Sequence, residues 1–257
     1  MKGMILYFSG SGNTKFIANK IEEEFIKNGC DIETHSIEEK INIKNFSYDY
    51  LILGFPKYFE YIPQNFMEYI DDNLGPSDKE VKTMIFTTGK DKNKMYFDEL
   101  EKGLLEKNFK VIMTKNFKMP NSFIISKNYK SVKDLDNIYQ SSSNKIKDAV
   151  ANFLIENYSK EEINNFKATI MKRLYKFKTK DLYKNSYRFS VNSSCDKCNL
   201  CVKACPTRNI EYIGGDIKFR DNCIMCCRCI SCCPKNAILY KNKKYPQYKE
   251  NINLIIS

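Results

Sequence analysis

Met4-Ile-Leu-Tyr-Phe8 runs directly into Ser9-Gly10-Ser11-Gly12-Asn13-Thr14, and the chain continues Lys15-Phe-Ile17-Ala-Asn-Lys-Ile21-Glu-Glu-Glu-Phe25. The segment from Lys2 to Phe8 reads as a short buried strand. From Asn13 to Lys27 the apolar residues Ile17, Ile21 and Phe25 recur every fourth position, which gives a helix one buried stripe. Asn28-Gly29 supplies the stop. The turn between strand and helix sets hydroxyls and free amides at a helix N-terminus, which makes an anion site. Two nucleotide templates fail there: GxGxxG would need glycine where Lys15 stands, and a Walker A loop would need Gly-Lys followed by Ser or Thr. NAD and nucleoside triphosphates are therefore disfavoured.

The same alternation continues outward. Ile32 to Ile37, Tyr50 to Phe55 and Val81 to Thr87 read as further strands, the last two as continuous apolar runs of the kind buried in parallel sheets, and Phe109 to Met113 reads as a weaker fifth. Helical patterns fall at Asn65 to Asp71, Tyr96 to Glu106 and Asn144 to Asn157. Strands alternating with helices predict a doubly wound α/β domain over residues 1–157. Ser159-Lys160-Glu161-Glu162 has the spacing of a capping box, and the following stretch places Ile163, Phe166, Ile170, Leu174 and Phe177 on one face. Lys167, Lys172, Arg173, Lys176 and Lys178 make its other surface basic. This linker, residues 158–189, is either a bridging helix with a solvated face or a helix that docks on a partner or a membrane surface; residues 179–190 read as irregular connection.

Charge and cysteine are both unevenly placed in this 257-residue chain. Residues 1–150 hold 22 Lys and 22 Asp or Glu, so the formal +11 belongs to the remainder. Ten of the eleven cysteines lie between Cys195 and Cys233, and Cys30 reads as a core residue. No apolar run approaches the ~18 residues of a spanning helix, and Met4 to Phe8 is too short for a signal-peptide core. A cytoplasmic protein is expected, in which clustered thiols bind metal more often than they form disulfides.

The cysteine-rich region is an internal repeat. Cys195-x2-Cys198-x2-Cys201-x3-Cys205-Pro206 overlays Cys223-x2-Cys226-x2-Cys229-x3-Cys233-Pro234 at an offset of 28, and Ile210 and Tyr212 then fall on Ile238 and Tyr240. Between the copies, Gly214-Gly215 is a dipeptide favoured in two-residue hairpin turns. The spacing C-x2-C-x2-C-x3-C-P resembles that of bacterial two-[4Fe-4S] ferredoxins, whose fourth cysteine ligates the other cluster. The resemblance implies an α+β ferredoxin-like domain over residues 190–257, with one cluster on Cys195, Cys198, Cys201 and Cys233 and the other on Cys223, Cys226, Cys229 and Cys205. A pair of structural zinc sites is the competing reading, but zinc ribbons set their C-x2-C pairs farther apart. Cys227 and Cys232 align with Asn199 and Ala204, so they are expected to pack near the cluster sulfurs and not to ligate.

Ser9 to Thr14, placed between a first strand and a first helix, resembles the phosphate loop of flavodoxins. That family has strand order 2-1-3-4-5 and holds FMN at the switch point between the first and third strands. The resemblance implies that Ser9, Gly10, Ser11, Gly12, Asn13 and Thr14 bind the FMN phosphate. It also brings two later loops to the flavin: Pro56, Lys57, Tyr58 and Phe59 after the third strand, and Thr88, Gly89 and Lys90 after the fourth. Tyr58 is the expected stacking residue, with Phe59 as the alternative. The charged segment Lys90 to Tyr96 departs from the family, which places a flavin-flanking aromatic there. His35 reads as a surface residue, not a catalytic base.

Together these resemblances match flavodoxin and ferredoxin fusion proteins of anaerobes: electron-transfer flavoproteins of oxidoreductase type. Such a chain passes electrons between two [4Fe-4S] clusters, FMN and a partner redox protein; the alternative is an FMN-dependent reductase of a small molecule. A nucleic-acid-binding protein is the competing class for the basic half. Two clusters and FMN each contribute about −2, which lowers the net charge to roughly +5, and no aromatic-rich nucleic-acid motif is present. No nucleic acid and no transmembrane segment are expected, and the basic linker suits an acidic partner such as a ferredoxin or an oxidoreductase. Reduction by an acidic ferredoxin should therefore slow as salt rises, because exposed charges are screened over about 8 Å at physiological salt. Stopped-flow rates unchanged across the salt series would make the linker charges a solvated face.

Overall fold

The computed structural model describes residues 2–58, 61–90, 96–126, 129, 134–160 and 184–256. Contacts divide the chain into two compact units. One contains the described residues of 2–9, 13–120 and 134–160, and the other those of 10–12, 121–129 and 184–256.

In the first unit, five parallel strands, β1 (Lys2–Tyr7), β2 (Asp31–Ser36), β3 (Tyr50–Pro56), β4 (Val81–Gly89) and β5 (Phe109–Lys118), form one sheet in the order β2-β1-β3-β4-β5. This is the flavodoxin-like order 2-1-3-4-5. Four helices complete it: α1 (Asn13–Lys27), α2 (Gln64–Asn73), α3 (Asp98–Glu106) and α4 (Leu135–Leu154). Parallel strands covered by helices bury continuous apolar runs, and Leu51, Ile52, Leu53 and Phe55 of β3 are fully buried. On one side, Ile17, Ile21 and Phe25 of α1 pack with Ile146, Val150 and Phe153 of α4 in a core that includes Ile5, Ile52 and Met84. Cys30 belongs to that core, as expected.

Three boundaries depart from the sequence expectation. β5 runs five residues past Met113, because buried Asn116 receives the Thr87 hydroxyl at 3.3 Å and its carbonyl receives Lys145 Nζ at 2.7 Å. α4 starts at Leu135 and not near Asn144; its polar first half is capped by Asp134, whose side chain accepts from Asn137 N at 3.1 Å, and buried Ser142 donates to Lys118 O. α3 begins at Asp98, after Tyr96. The Ser159 hydroxyl accepts from Lys115 Nζ at 2.8 Å, and its main chain bridges to β5 at Met113. The rest of the basic stretch, residues 161–183, lies outside the described residues.

The second unit is α+β and has the symmetry of its sequence repeat. Strands β6 (Phe189–Val191), β7 (Ile210–Ile213), β8 (Asp216–Phe219) and β9 (Ile238–Tyr240) form two antiparallel pairs, β6 with β9 and β7 with β8. β6 lies in the stretch expected to be irregular; three residues are too short to show a period. Phe189 faces Tyr240 and Val191 faces Ile238, while Ile217 faces Tyr212 and Phe219 faces Ile210. Adding 28 to each β6 residue and subtracting 28 from its β9 partner gives the β8–β7 register. The short helices α5 (Leu200–Lys203) and α6 (Arg228–Cys232) follow Asn199 and Cys227, which are left-handed with φ 61° and 61°. Lys197 and Met225 match in the same way, at φ 60° and 58°. Gly214 and Gly215, at φ 61° and 86°, make the hairpin turn between β7 and β8. A last helix, α7, spans Asn253–Ile256.

Gly54 lies in the middle of the first sheet, and a Cβ there would stand 2.1 Å from the ring of fully buried Phe86. Gly54→Ala should lower the unfolding free energy of the first unit by about 1–3 kcal/mol, the usual cost of overpacking. Urea unfolding followed by far-UV circular dichroism measures it.

Candidate functional site

The first candidate site lies at the carboxyl ends of β1, β3 and β4, where open α/β sheets bind ligands. Ser9, Ser11, Asn13 and Thr14 are all buried in the turn that follows β1. Thr14 Oγ1 meets Thr88 Oγ1 at 2.9 Å, which ties the first turn of α1 to the end of β4. Lys57 N donates to Thr88 O at 2.8 Å, and Pro56 pairs with Thr88 in the sheet register. Asn13 Nδ2 donates to Pro120 O at 2.9 Å. Thr14, Pro56, Lys57, Thr88 and Gly89 thus meet at one end of the sheet, with Lys90 exposed just beyond.

The Tyr58 ring stands edge-on to Phe8, with centroids 6.5 Å apart, and its main chain makes a two-way bridge with Tyr61 at 3.1 and 3.0 Å. Phe59 lies outside the described residues. Tyr61 and Tyr96 pack at 5.6 Å, and burial pushes the Tyr61 phenol up to about 12. Tyr61 went unremarked in the sequence; its signal is the aromatic run ending at Pro63, the N-cap of α2. His35 lies on β2, beside Leu6 in the sheet register, with Nδ1 at 2.9 Å from Glu39 Oε2.

Gly10–Gly12 belong to the second unit. Gly12 has φ 94°, and a Cβ there would approach the Asn251 carbonyl oxygen to 1.9 Å, so only glycine fits. Arg228 Nε donates to Gly10 O at 3.1 Å and Nη1 to Ala204 O at 2.9 Å. The unit's core contains Ile124, Ile125, Met225, Cys227, Ile230 and Tyr248.

The cysteines form the second candidate site. A single cavity is lined by Cys205, Cys223, Cys226, Cys227 and Cys229, with Ile210 and Ile224 among its walls. These five cysteines come from both copies of the repeat, and four of them, Cys227 excepted, form the set that the ferredoxin spacing implies. Burial pushes Cys223 up to about 12, and Cys226 and Cys205 add to the effect. Burial likewise pushes Cys201 up to about 11, with Cys233, Cys195 and Cys198 adding to it. Asn209 N donates to Cys205 Sγ at 3.2 Å and Ala237 N to Cys233 Sγ at 3.3 Å, equivalent bonds in the two copies; Met225 N also donates to Cys223 Sγ at 3.3 Å. Amides directed at sulfur favour a charged thiolate, and a coordinated thiol is deprotonated by its metal. Among the described residues no three His, Cys, Asp or Glu side chains are grouped so as to hold a single metal ion. The donors fit a sulfur-ligated group in kind and in crossed placement. Cys227 and Cys232 are buried, and their thiols donate to main-chain oxygens of Met225 and Cys229, both at 3.5 Å.

Residues 4–119 match the flavodoxin domain family. No curated protein matches the chain. Among solved structures, the chain is similar to two-electron reduced Megasphaera elsdenii flavodoxin, with 23% identity, 55% of this chain and 98% of that one covered, and a TM-score of 0.41. It is similar also to oxidised Flavodoxin 1 from Bacillus cereus, with 20% identity, coverage of 57% and 98%, and a TM-score of 0.39. A flavodoxin from the domain Archaea gives 18% identity, coverage of 59% and 99%, and a TM-score of 0.39. The first unit has the flavodoxin-like fold, and the family match falls within it. Among the described residues no helix is long and apolar enough to cross a membrane.

Thr14→Val and Thr88→Val should each destabilise the first unit by about 1–3 kcal/mol, since each leaves a buried hydroxyl with one bond fewer. The double variant should cost less than the sum of the two. A double-mutant cycle by urea unfolding measures the coupling.

Proposed function

We propose that this chain is an electron-transfer flavo-iron-sulfur protein. In this reading it binds FMN at the carboxyl ends of β1, β3 and β4, carries two [4Fe-4S] clusters, and exchanges electrons with an acidic partner redox protein. The observation that carries the reading is the cavity whose walls include Cys205, Cys223, Cys226 and Cys229, the four thiols that the crossed ferredoxin spacing brings together. The flavodoxin-domain match of residues 4–119 supports the flavin. When bound, FMN can pass two electrons singly and each cluster carries one, so the set couples one-electron and two-electron chemistry.

The chain's own groups have distinct parts in this. The hydroxyls of Ser9, Ser11 and Thr14 and the free amides opening α1 bind the FMN phosphate, as anions bind helix N-termini. The Thr14–Thr88 bond holds that turn against β4 before any ligand arrives. Tyr58 flanks the flavin ring. Cys195, Cys198, Cys201 and Cys233 hold one cluster, and Cys223, Cys226, Cys229 and Cys205 the other. The Asn209 and Ala237 amides stabilise the crossing thiolates Cys205 and Cys233. The basic balance of the second half of the chain favours an acidic partner.

Protein purified without oxygen should contain about eight irons and eight acid-labile sulfides per chain, and the released flavin should have the mass of FMN. Cys205→Ala and Cys233→Ala should each damage the cluster held by the other copy's loop, whereas Cys227→Ala and Cys232→Ala should keep the full iron count. Two zinc atoms without sulfide would overturn the cluster assignment, and FAD in the extract would overturn the phosphate-loop assignment. Rapid turnover of a quinone or nitro compound would replace the carrier role with that of a reductase.

A further inference from the structure

The repeat offset pairs every position in one cysteine loop with a position in the other, so the two halves can be compared residue by residue. Several features are alike: the Asn209 and Ala237 amides give each crossing sulfur one equivalent bond, and left-handed positions coincide. Several pairs differ in charge, but only one sets a buried charge against an uncharged residue. Leu200 opens α5, and Arg228 opens α6. Arg228 is 3% exposed and, among the described residues, is the only Asp, Glu, Lys or Arg that is buried. Its guanidinium is held in place by the bonds to Gly10 O and Ala204 O, and the residue forms part of the wall of the cavity that Cys205, Cys223, Cys226 and Cys229 also line.

We propose that Arg228 makes the two cluster sites electrically unequal, so that the site formed by Cys205, Cys223, Cys226 and Cys229 has the higher reduction potential and takes up the first electron. The proposal rests on the reading that both sites hold [4Fe-4S] clusters. Uptake of one electron makes a site more negative by one charge, and a fixed cation nearby stabilises the reduced form. Exposure acts the other way, because Cys198 is exposed and solvent stabilises added charge at its site. Lys197 and Lys203, also near that loop, are exposed and screened. The buried cation acts with little screening at its own site, and the additional Met225 amide on Cys223 acts in the same direction.

Anaerobic titration of the holo protein with dithionite, followed by EPR, tests this. Wild type should show two separated one-electron cluster steps. Arg228→Leu, which copies the other half, should move the upper step down and leave the lower one in place. At the ambient potential of the wild-type upper midpoint, the reduced-to-oxidised ratio at that site should fall at least about tenfold, which is about 59 mV for one electron. Arg228→Lys should keep most of the separation. If Arg228→Leu loses iron, Arg228→Gln, which retains hydrogen-bond donors without the charge, carries the comparison. A single superimposed step in wild type, or an upper step that stays put in the uncharged variant, overturns the proposal. An iron count far from eight in wild type instead overturns the underlying cluster reading.

Discussion

Neither copy of the cysteine repeat has a strand pair of its own. β6 belongs to the first copy and pairs with β9 of the second, while β7 of the first pairs with β8 of the second, so each copy forms its strand-ladder hydrogen bonds with its twin. A two-stranded ribbon is marginal in water when isolated, and the strands here have three or four residues. The pairing therefore depends on the apolar residues that both copies place between the two ribbons. Phe189 stacks on Phe219 at 5.5 Å and packs on Tyr240 at 4.9 Å, and Ile210, Ile217, Ile230 and Ile238 fill the space around them. The same unit brings Cys205 of the first copy to the cavity lined by Cys223, Cys226 and Cys229 of the second.

The first unit meets a different constraint. Its strands are long and its core is ordinary, so the difficult groups are the hydroxyls and amides gathered at the carboxyl ends of the strands. Thr14 and Thr88 satisfy one another, and Asn116 is held between Thr87 and Lys145. A polar surface preorganised in this way is suited to an anionic ligand.

Much of this was legible in advance, for identifiable reasons. α1 runs from Asn13 to Lys27 as its apolar spacing and Asn28-Gly29 stop require, and buried parallel strands announce themselves as apolar runs such as Tyr50 to Phe55. The internal repeat of the second unit was legible because the cysteine spacing recurs at an offset of 28, and the strand pairs repeat with it. The second half of β5 and the first half of α4 were hidden because buried polar residues there are satisfied by partners distant in sequence, such as Ser142 on Lys118. β6 was hidden by its brevity. Arg228 could not be singled out, since a lone arginine between cysteines reads as exposed; only its burial and its bonds to Gly10 and Ala204 give it meaning.

Eight of the eleven non-glycine residues with positive φ among those described lie in the second unit, including Lys197, Met225 and Cys227 beside the thiols. For side chains other than Asn or Asp, each such residue costs on the order of 1–2 kcal/mol relative to relaxed backbone. Short strands and a small core leave little to offset that sum; with the proposed clusters in place, thiol ligation would supply part of the folding free energy, as in other small metal-dependent domains. On this reading, iron and sulfide supply governs how long a newly made chain survives the proteases of its cell, and starvation for either would deplete the polypeptide as well as its activity.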